Sequence, residues 1–154
     1  MEAVNATEER VRVVAIEDDD RYRASLQALL EHSPEFQLLR CYSSPLPALD
    51  ELESTVHNAG TPGWQLVLMD LDLPAVSGIE CTRRMKALAP QTQVVVLTVF
   101  EDRATILRAI CAGADGYLLK RTPADRLLAQ LRTVIAGGSP LSAGVARTVL
   151  DFVR

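Results

Sequence analysis

Four apolar runs in this chain each end on a residue able to do chemistry. Val13-Val14-Ala15-Ile16 runs into the acid pair Glu17-Asp18, Leu66-Val67-Leu68-Met69 into Asp70, Val94-Val95-Val96-Leu97 into Thr98, and Tyr117-Leu118-Leu119 into Lys120. Brought to one point, these groups make a metal-assisted phosphoryl site. Carboxylates supply oxygen ligands for a hard divalent cation and a nucleophile, while the hydroxyl and ammonium are donors for phosphoryl oxygens. A carboxylate at the C-terminal end of a buried strand also sits where an open parallel sheet places its ligand site. Asp70 reads as the phosphoacceptor, and Leu71-Asp72-Leu73-Pro74 as the loop leading from it to the next helix.

For those ends to converge, the runs must be neighbouring parallel strands. From Val11 onward apolar runs alternate with helical patterns, the signature of βαβ units. Strands are expected at about 11–16, 36–41, 65–70, 93–98 and 116–119. The first helix carries Leu26, Leu29 and Leu30 on one face. The second begins near Pro45 and Pro47, which suit a first turn, and carries Leu49, Leu52 and Val56. A polar stretch from His57 to Gly63 then leads to the third strand. Gly78 and Ile79 lie near the start of the third helix, which ends around Leu88-Ala89-Pro90. The fourth spans about 102–112 with Gly113 as its stop. The fifth runs from Thr122 as cap and Pro123 in the first turn to Ala136, before Gly137-Gly138. The expected class is α/β: a doubly wound (βα)5 parallel sheet with a short C-terminal linker helix. Right-handed crossovers allow the strand order 2-1-3-4-5, which sets the four polar strand ends side by side.

Composition narrows the function classes. The chain has 154 residues, 48% of them apolar and 23% charged, with a formal net charge of −4. That is enough for one domain with a real core. The mild acidity argues against a direct grip on nucleic acid, which needs clustered Lys and Arg. No apolar run approaches the roughly 18 residues of a membrane span, and the first ten residues lack the apolar core of a signal peptide. The expected location is therefore the cytoplasm. Cys41, Cys81 and Cys111 show no metal-type spacing and read as small buried hydrophobes in a reducing compartment. No G-x-G-x-x-G follows the first strand and no Walker lysine loop occurs.

Over residues 11–139 the chain resembles the receiver domain of two-component response regulators. The matching segments are Val14-Ala15-Ile16-Glu17-Asp18-Asp19, Leu68-Met69-Asp70-Leu71-Asp72-Leu73-Pro74, Val96-Leu97-Thr98, and Ala112-Gly113-Ala114-Asp115-Gly116-Tyr117-Leu118-Leu119-Lys120. The resemblance implies a flavodoxin-like receiver fold in which Asp70 is phosphorylated by a sensor histidine kinase or phosphotransfer protein. It implies Mg²⁺ held by Glu17, Asp18, Asp70 and the backbone carbonyl of Asp72. Lys120 and Thr98 would contact phosphoryl oxygens, and Tyr117 would swing inward as Thr98 is drawn to the phosphate. Taken alone, Glu17 through Asp20 would be an acidic first helical turn, with Asp19 or Asp20 as caps. Lys120 alone would be solvated surface, Thr98 a β-branched strand residue, and Tyr117 a half-buried ring on an edge strand. In two places the chain departs from the pattern: Val99 stands where many receivers carry alanine or glycine, and Arg121 follows Lys120 where proline is common. Val99 would narrow access to the phosphoryl group. Asp72, two residues after the acceptor, would tune phosphate lifetime by orienting or repelling water. The segment from Thr55 to Trp64 is also longer than the usual connection.

An enzyme of the haloacid-dehalogenase type shares the Asp-x-Asp motif after an apolar strand, but there the nucleophile opens the fold and the acid pair comes last. Here the order is reversed, and the expected catalysis is confined to the chain's own aspartyl phosphorylation and dephosphorylation. A flavodoxin-like cofactor module would need a Ser/Thr-rich loop after the first strand, which the chain lacks. The tail from Gly137 to Arg147 resembles the linker of NarL/FixJ (LuxR-type) transcriptional regulators. The expected organisation is an N-terminal arm (1–10), a receiver (11–139) and a linker with C-terminal helix (140–154). DNA binding would fall to an output domain missing from this chain; a stand-alone receiver or phosphorelay adaptor is the alternative. Ser142 is a candidate cap, and Val145, Val149, Phe152 and Val153 form an apolar stripe that would pack back on the receiver or pair with a second copy as a homodimer.

Overall fold

The structure is a computed structural model that describes residues 10–60, 63–141 and 143–154. Five strands form one parallel sheet: β1 (Val11–Ile16), β2 (Phe36–Tyr42), β3 (Leu66–Met69), β4 (Gln93–Thr98) and β5 (Gly116–Leu119). Their order is β2-β1-β3-β4-β5, as expected from the alternating pattern. Between and after them lie α1 (Asp20–Glu31), α2 (Pro45–Ala59), α3 (Gly78–Leu88), α4 (Arg103–Cys111), α5 (Ala124–Ile135) and α6 (Ala143–Val153).

The strands read as unbroken apolar runs because both sheet faces are covered. Side chains alternate between the faces. Val13, Ala15, Leu66, Leu68, Val95, Leu97 and Leu118 pack with Leu26 and Leu30 of α1 and Leu127, Leu131 and Val134 of α5. On the other face Val14, Ile16, Val67 and Met69 meet Leu49 and Leu52 of α2 and Cys81 and Met85 of α3. Val96, Tyr117 and Leu119 meet Ile106 and Ala109 of α4. Each strand thus delivers its C-terminal residue to the same rim, with little freedom to rotate it.

Local chemistry set most helix ends, and some differed from expectation. Asp19 caps α1, its Oδ1 accepting from the backbone N–H groups of Arg21 and Tyr22 at 2.9 and 3.1 Å. Asp102 caps α4 in the same manner. Pro123, not Thr122, occupies the cap position of α5, and no side chain caps that helix. Helix α2 continues through Ala59 and stops at Gly60, in a left-handed conformation with φ 75°. His57 is therefore helical rather than part of a linker, which accounts for most of the long connection after Thr55. Strand β3 lacks the expected ends Gln65 and Asp70, while β2 gains Tyr42. Only Cys81 of the cysteines is buried; Cys111 is exposed, and all three are free. Residues 1–9 of the expected arm, and Ser142, lie outside the described residues. Arg10 is described, and its guanidinium donates to the Phe36 carbonyl at 2.6 Å.

The C-terminal segment folds back on the domain. Pro140 accepts from the Tyr117 N–H at 3.0 Å and Leu141 bridges Tyr117 in parallel, covering the outer edge of β5. Val145 and Val149 of α6 then join the cluster of Ile106, Ala109 and Tyr117. Leu150, Phe152 and Val153 stay exposed, with the Arg103 guanidinium 5.8 Å from the Phe152 ring centre. Among the described residues no helix is long and apolar enough to cross a membrane.

Candidate functional site

Beyond the C-terminal ends of β1 and β3, carboxylate oxygens of Glu17, Asp18 and Asp70 all lie within 4.8 Å of one another. Asp70 is 5% exposed and Glu17 2%, whereas Asp18 is open to solvent. Lys120, at the end of β5, reaches into this cluster: its Nζ is 2.7 Å from Glu17 Oε1 and 3.4 Å from Asp70 Oδ2. The Lys120 side chain is itself only 13% exposed. The sequence-derived acids and lysine thus meet at one point.

Their electrostatics follow from crowding and burial. Burial first, and the Glu17 charge second, push the Asp70 carboxyl up to about 6, although Lys120 and the Leu71 N–H, donating to Oδ1 at 2.8 Å, pull the other way. Burial disfavours the Lys120 charge, but the hydrogen bond to Glu17 and the charge of Asp70 outweigh it and hold the ammonium above its usual range. A cluster with more buried acid than base to balance it is suited to a further cation. Octahedral Mg²⁺ holds oxygens at about 2.1 Å, hence about 3 to 4.2 Å from one another. Three carboxylates already within 4.8 Å need only a small closure to fit.

Backbone geometry holds the acids in place. Glu17 Oε2 accepts from the Asp19 N–H at 3.0 Å, and the Arg23 guanidinium donates to the Glu17 carbonyl at 2.9 Å. Gly78 opens α3 directly against the end of β3, donating its N–H to the Leu71 carbonyl at 3.0 Å. A Cβ there would stand 2.0 Å from the Asp70 carbonyl oxygen and 2.6 Å from Leu71 Cα, so only glycine lets the helix start so close. Ala75, in the loop between, holds φ 68°, a conformation that disfavours side chains. At the opposite end of the sheet Lys86 donates to Asp115, and to the carbonyls of Thr92 and Pro90 at 2.9 and 3.1 Å. Asp115 also accepts from the Val94 N–H at 2.8 Å, tying α3, β4 and the turn before β5 together.

Thr98 is fully buried at the end of β4, its hydroxyl 3.3 Å from the Phe100 N–H. Tyr117 is fully buried too, not half-buried, because the C-terminal segment covers its edge. Its hydroxyl donates to the Phe100 carbonyl at 2.8 Å, so Thr98 and Tyr117 hold the same loop residue from two sides. Val99 is 68% exposed. Asp72 is exposed and lines a groove of about 460 Å³ with Ile79, Arg83, Phe100 and Arg108, running between α3 and α4.

Sequence reasoning missed Tyr22. Its ring centre lies 4.7 Å from Lys120 Nζ. The available signal was spacing: an aromatic four residues after Asp18, at the first turn of the helix that follows the acid pair, faces back over that pair.

The fold and the acidic rim define a receiver. Residues 13–132 match the response regulator receiver domain family, and the chain belongs to it. The chain is similar to the transcriptional regulatory protein DegU of Brevibacillus brevis, 29% identical over 147 residues, covering 96% of this chain and 59% of that protein. It is similar to the transcriptional regulatory protein UhpA of Salmonella typhimurium, 32% identical over 139 residues, covering 88% of this chain and 64% of that one. In fold it matches a two-component response regulator of the LuxR family from an Aurantimonas species, with TM-score 0.79 and 23% identity, covering 92% of this chain and 96% of that chain. The chain thus spans about three-fifths of the length of these curated regulators. These relatives are named as transcriptional regulatory proteins.

Proposed function

We propose that the chain accepts a phosphoryl group on Asp70 from a sensor histidine kinase or a phosphotransfer protein. The observation that carries this is the meeting of three carboxylates within 4.8 Å, with the Lys120 ammonium 2.7 Å from Glu17 and 3.4 Å from Asp70. An Asp70 oxygen attacks phosphorus, the phosphorus–nitrogen bond to the donor histidine breaks, and the freed histidine leaves. Two anions must approach for this to happen. Glu17, Asp18, Asp70 and the Asp72 carbonyl are the groups that would hold a divalent cation, and Mg²⁺ bound there supplies the charge neutralisation.

The chain's own groups do the rest. The Lys120 ammonium, already beside Asp70, pairs with a phosphoryl oxygen as a point charge. The Thr98 hydroxyl turns from the Phe100 N–H, a long contact at 3.3 Å, to the phosphoryl group. Because Tyr117 holds the Phe100 carbonyl and packs against Leu141 and Val145, a shift of that loop reaches α4, β5 and the C-terminal helix. Asp72 and Val99, both exposed at the rim, govern the approach of water and hence phosphate lifetime. The only chemistry is the making and loss of the chain's own aspartyl phosphate.

Residues 11–139 act as the receiver and 140–154 as a linker, working in the cytoplasm. The relatives that span more sequence than this chain are named as transcriptional regulators, which supports a DNA-binding output domain as the target. A homodimer is the form proposed for the phosphorylated state. The test is intact-mass spectrometry after incubation with acetyl phosphate and Mg²⁺, with Asp70→Asn in parallel. One added phosphoryl group that needs both Mg²⁺ and Asp70 is the expected result. Failure both to gain phosphate and to bind beryllofluoride overturns the reading.

A further inference from the structure

We propose that Tyr22 is a positioning residue for Lys120, its ring keeping the ammonium beside Asp70 when Glu17 is drawn to a metal ion. This rests on the phosphoacceptor reading of Asp70. Three observations carry it. The ring centre is 4.7 Å from Lys120 Nζ, inside the range of a cation–π contact. The ring lines a narrow groove between α1 and α5, together with Leu26, Ala124 and Leu127. Its backbone is fixed by Asp19, whose Oδ1 accepts from the Tyr22 N–H at 3.1 Å, in the same turn that presents the acid pair.

The physical need arises from the partners of Lys120. Its closest one is Glu17, at 2.7 Å, and Glu17 is also one of the three clustered carboxylates. A cation entering that cluster competes with the ammonium for the same oxygens. Lysine has a flexible four-carbon stem and a strongly hydrated head, so an ammonium released by Glu17 would swing to water. Asp70 alone, at 3.4 Å, is a weaker hold. A ring face is a partner that a hard metal ion does not take, because such ions prefer oxygen. Tyr22 can therefore hold Lys120 equally before and after the metal binds.

The test compares the wild-type chain with Y22F, which keeps the ring, and with Y22L and Y22M, which keep apolar bulk without it. Phosphorylation by acetyl phosphate at saturating Mg²⁺ is followed by intact mass, Mg²⁺ affinity by calorimetry, and the Lys120 ε-methylene protons by NMR. Y22L and Y22M are expected to react about fivefold slower, the size of a partly desolvated cation–π contact, with Mg²⁺ affinity changed less than about twofold and Y22F near wild type. The ε-methylene protons are expected upfield in the wild type and Y22F, with and without Mg²⁺, and at ordinary shifts in the other two. A merely structural role would lower the melting temperature without this split of rate from metal affinity. Y22L reacting as fast as wild type, Y22F as slow as Y22L, or an unshifted ε-methylene in the wild type each overturn the proposal. If Y22L does not fold, Y22M and the wild-type shift decide. If the wild type takes up neither phosphate nor beryllofluoride, it is the phosphoacceptor reading that fails, and the role of Tyr22 with it.

Discussion

Replacing Asp70 by asparagine is expected to stabilise the protein at neutral pH when no divalent cation is present. Asp70 is nearly buried, and its carboxyl is raised from 3.8 to about 6, first by burial and then by Glu17. An acid whose pKa is higher in the folded than in the unfolded chain binds its proton more tightly when folded. The folded state is therefore not penalised below about pH 4; it loses stability as the pH rises from 3.8 toward 6, and carries the full cost above that. A shift of about two units corresponds to about 3 kcal/mol, and water at the rim reduces it toward about 1 kcal/mol. The asparagine side chain has no charge to desolvate, and Lys120 keeps its shorter contact with Glu17. For a domain of this size about 1–3 kcal/mol is a rise in Tm of about 2–12 °C. The assay is thermal unfolding by circular dichroism in EDTA, wild type against Asp70→Asn, at pH 4.5 and 7.5. The difference is expected to be small at the lower pH and full at the higher. Adding Mg²⁺ at pH 7.5 is expected to raise the wild-type Tm more than that of the variant and so narrow the gap. A variant that melts no higher than wild type at pH 7.5 in EDTA, or a difference that is the same at both pH values, refutes the reasoning.

Three further outcomes follow from the packing. Gly78→Ala is expected to cost about 3 kcal/mol or more, because a Cβ 2.0 Å from the Asp70 carbonyl forces backbone to move, and to slow phosphorylation of Asp70; urea unfolding and intact mass check it, and wild-type values for both would contradict the close approach. Val145→Asp places a charge in the cluster formed by α4, Tyr117 and α6, and is expected to release the C-terminal helix while the sheet stays folded; hydrogen exchange rising in 143–153 but not in β1 or β3 is the signature. Lys86→Met removes the donor shared by Asp115, Thr92 and Pro90, and about 1–3 kcal/mol of stability is expected to go with it, read from the urea midpoint.

How the protein was specified divides along physical lines. The sequence by itself determined the sheet and most of the site. Period-2 burial on two covered faces makes a strand recognisable as a short apolar run, and parallel strands must end at a common rim. Glu17, Asp18, Asp70 and Lys120 were therefore legible simply as the polar residues that follow such runs, and they do meet. A helix end governed by a local side-chain hydrogen bond was legible at Asp19, whereas Asp102, expected as the first residue of its helix, is the cap before it. Where a cap is set by the path of the chain rather than by a side chain, as at Thr122 and Pro123, the local signal misled. Other features depend on segments far apart in sequence. The tie between Lys86 and Asp115 and the sealing of Tyr117 by Leu141 and Val145 join residues with no pattern relating them, and the spacing that turns Tyr22 toward the acid pair does not say that its ring meets Lys120 from a distant strand. An apolar stripe on α6 says only that something must cover it. That α4 and β5 do so, leaving Phe152 and Val153 in solvent, was decided by the tertiary structure, because the free energy of burial depends on which surfaces meet and not on the order in which the chain presents them.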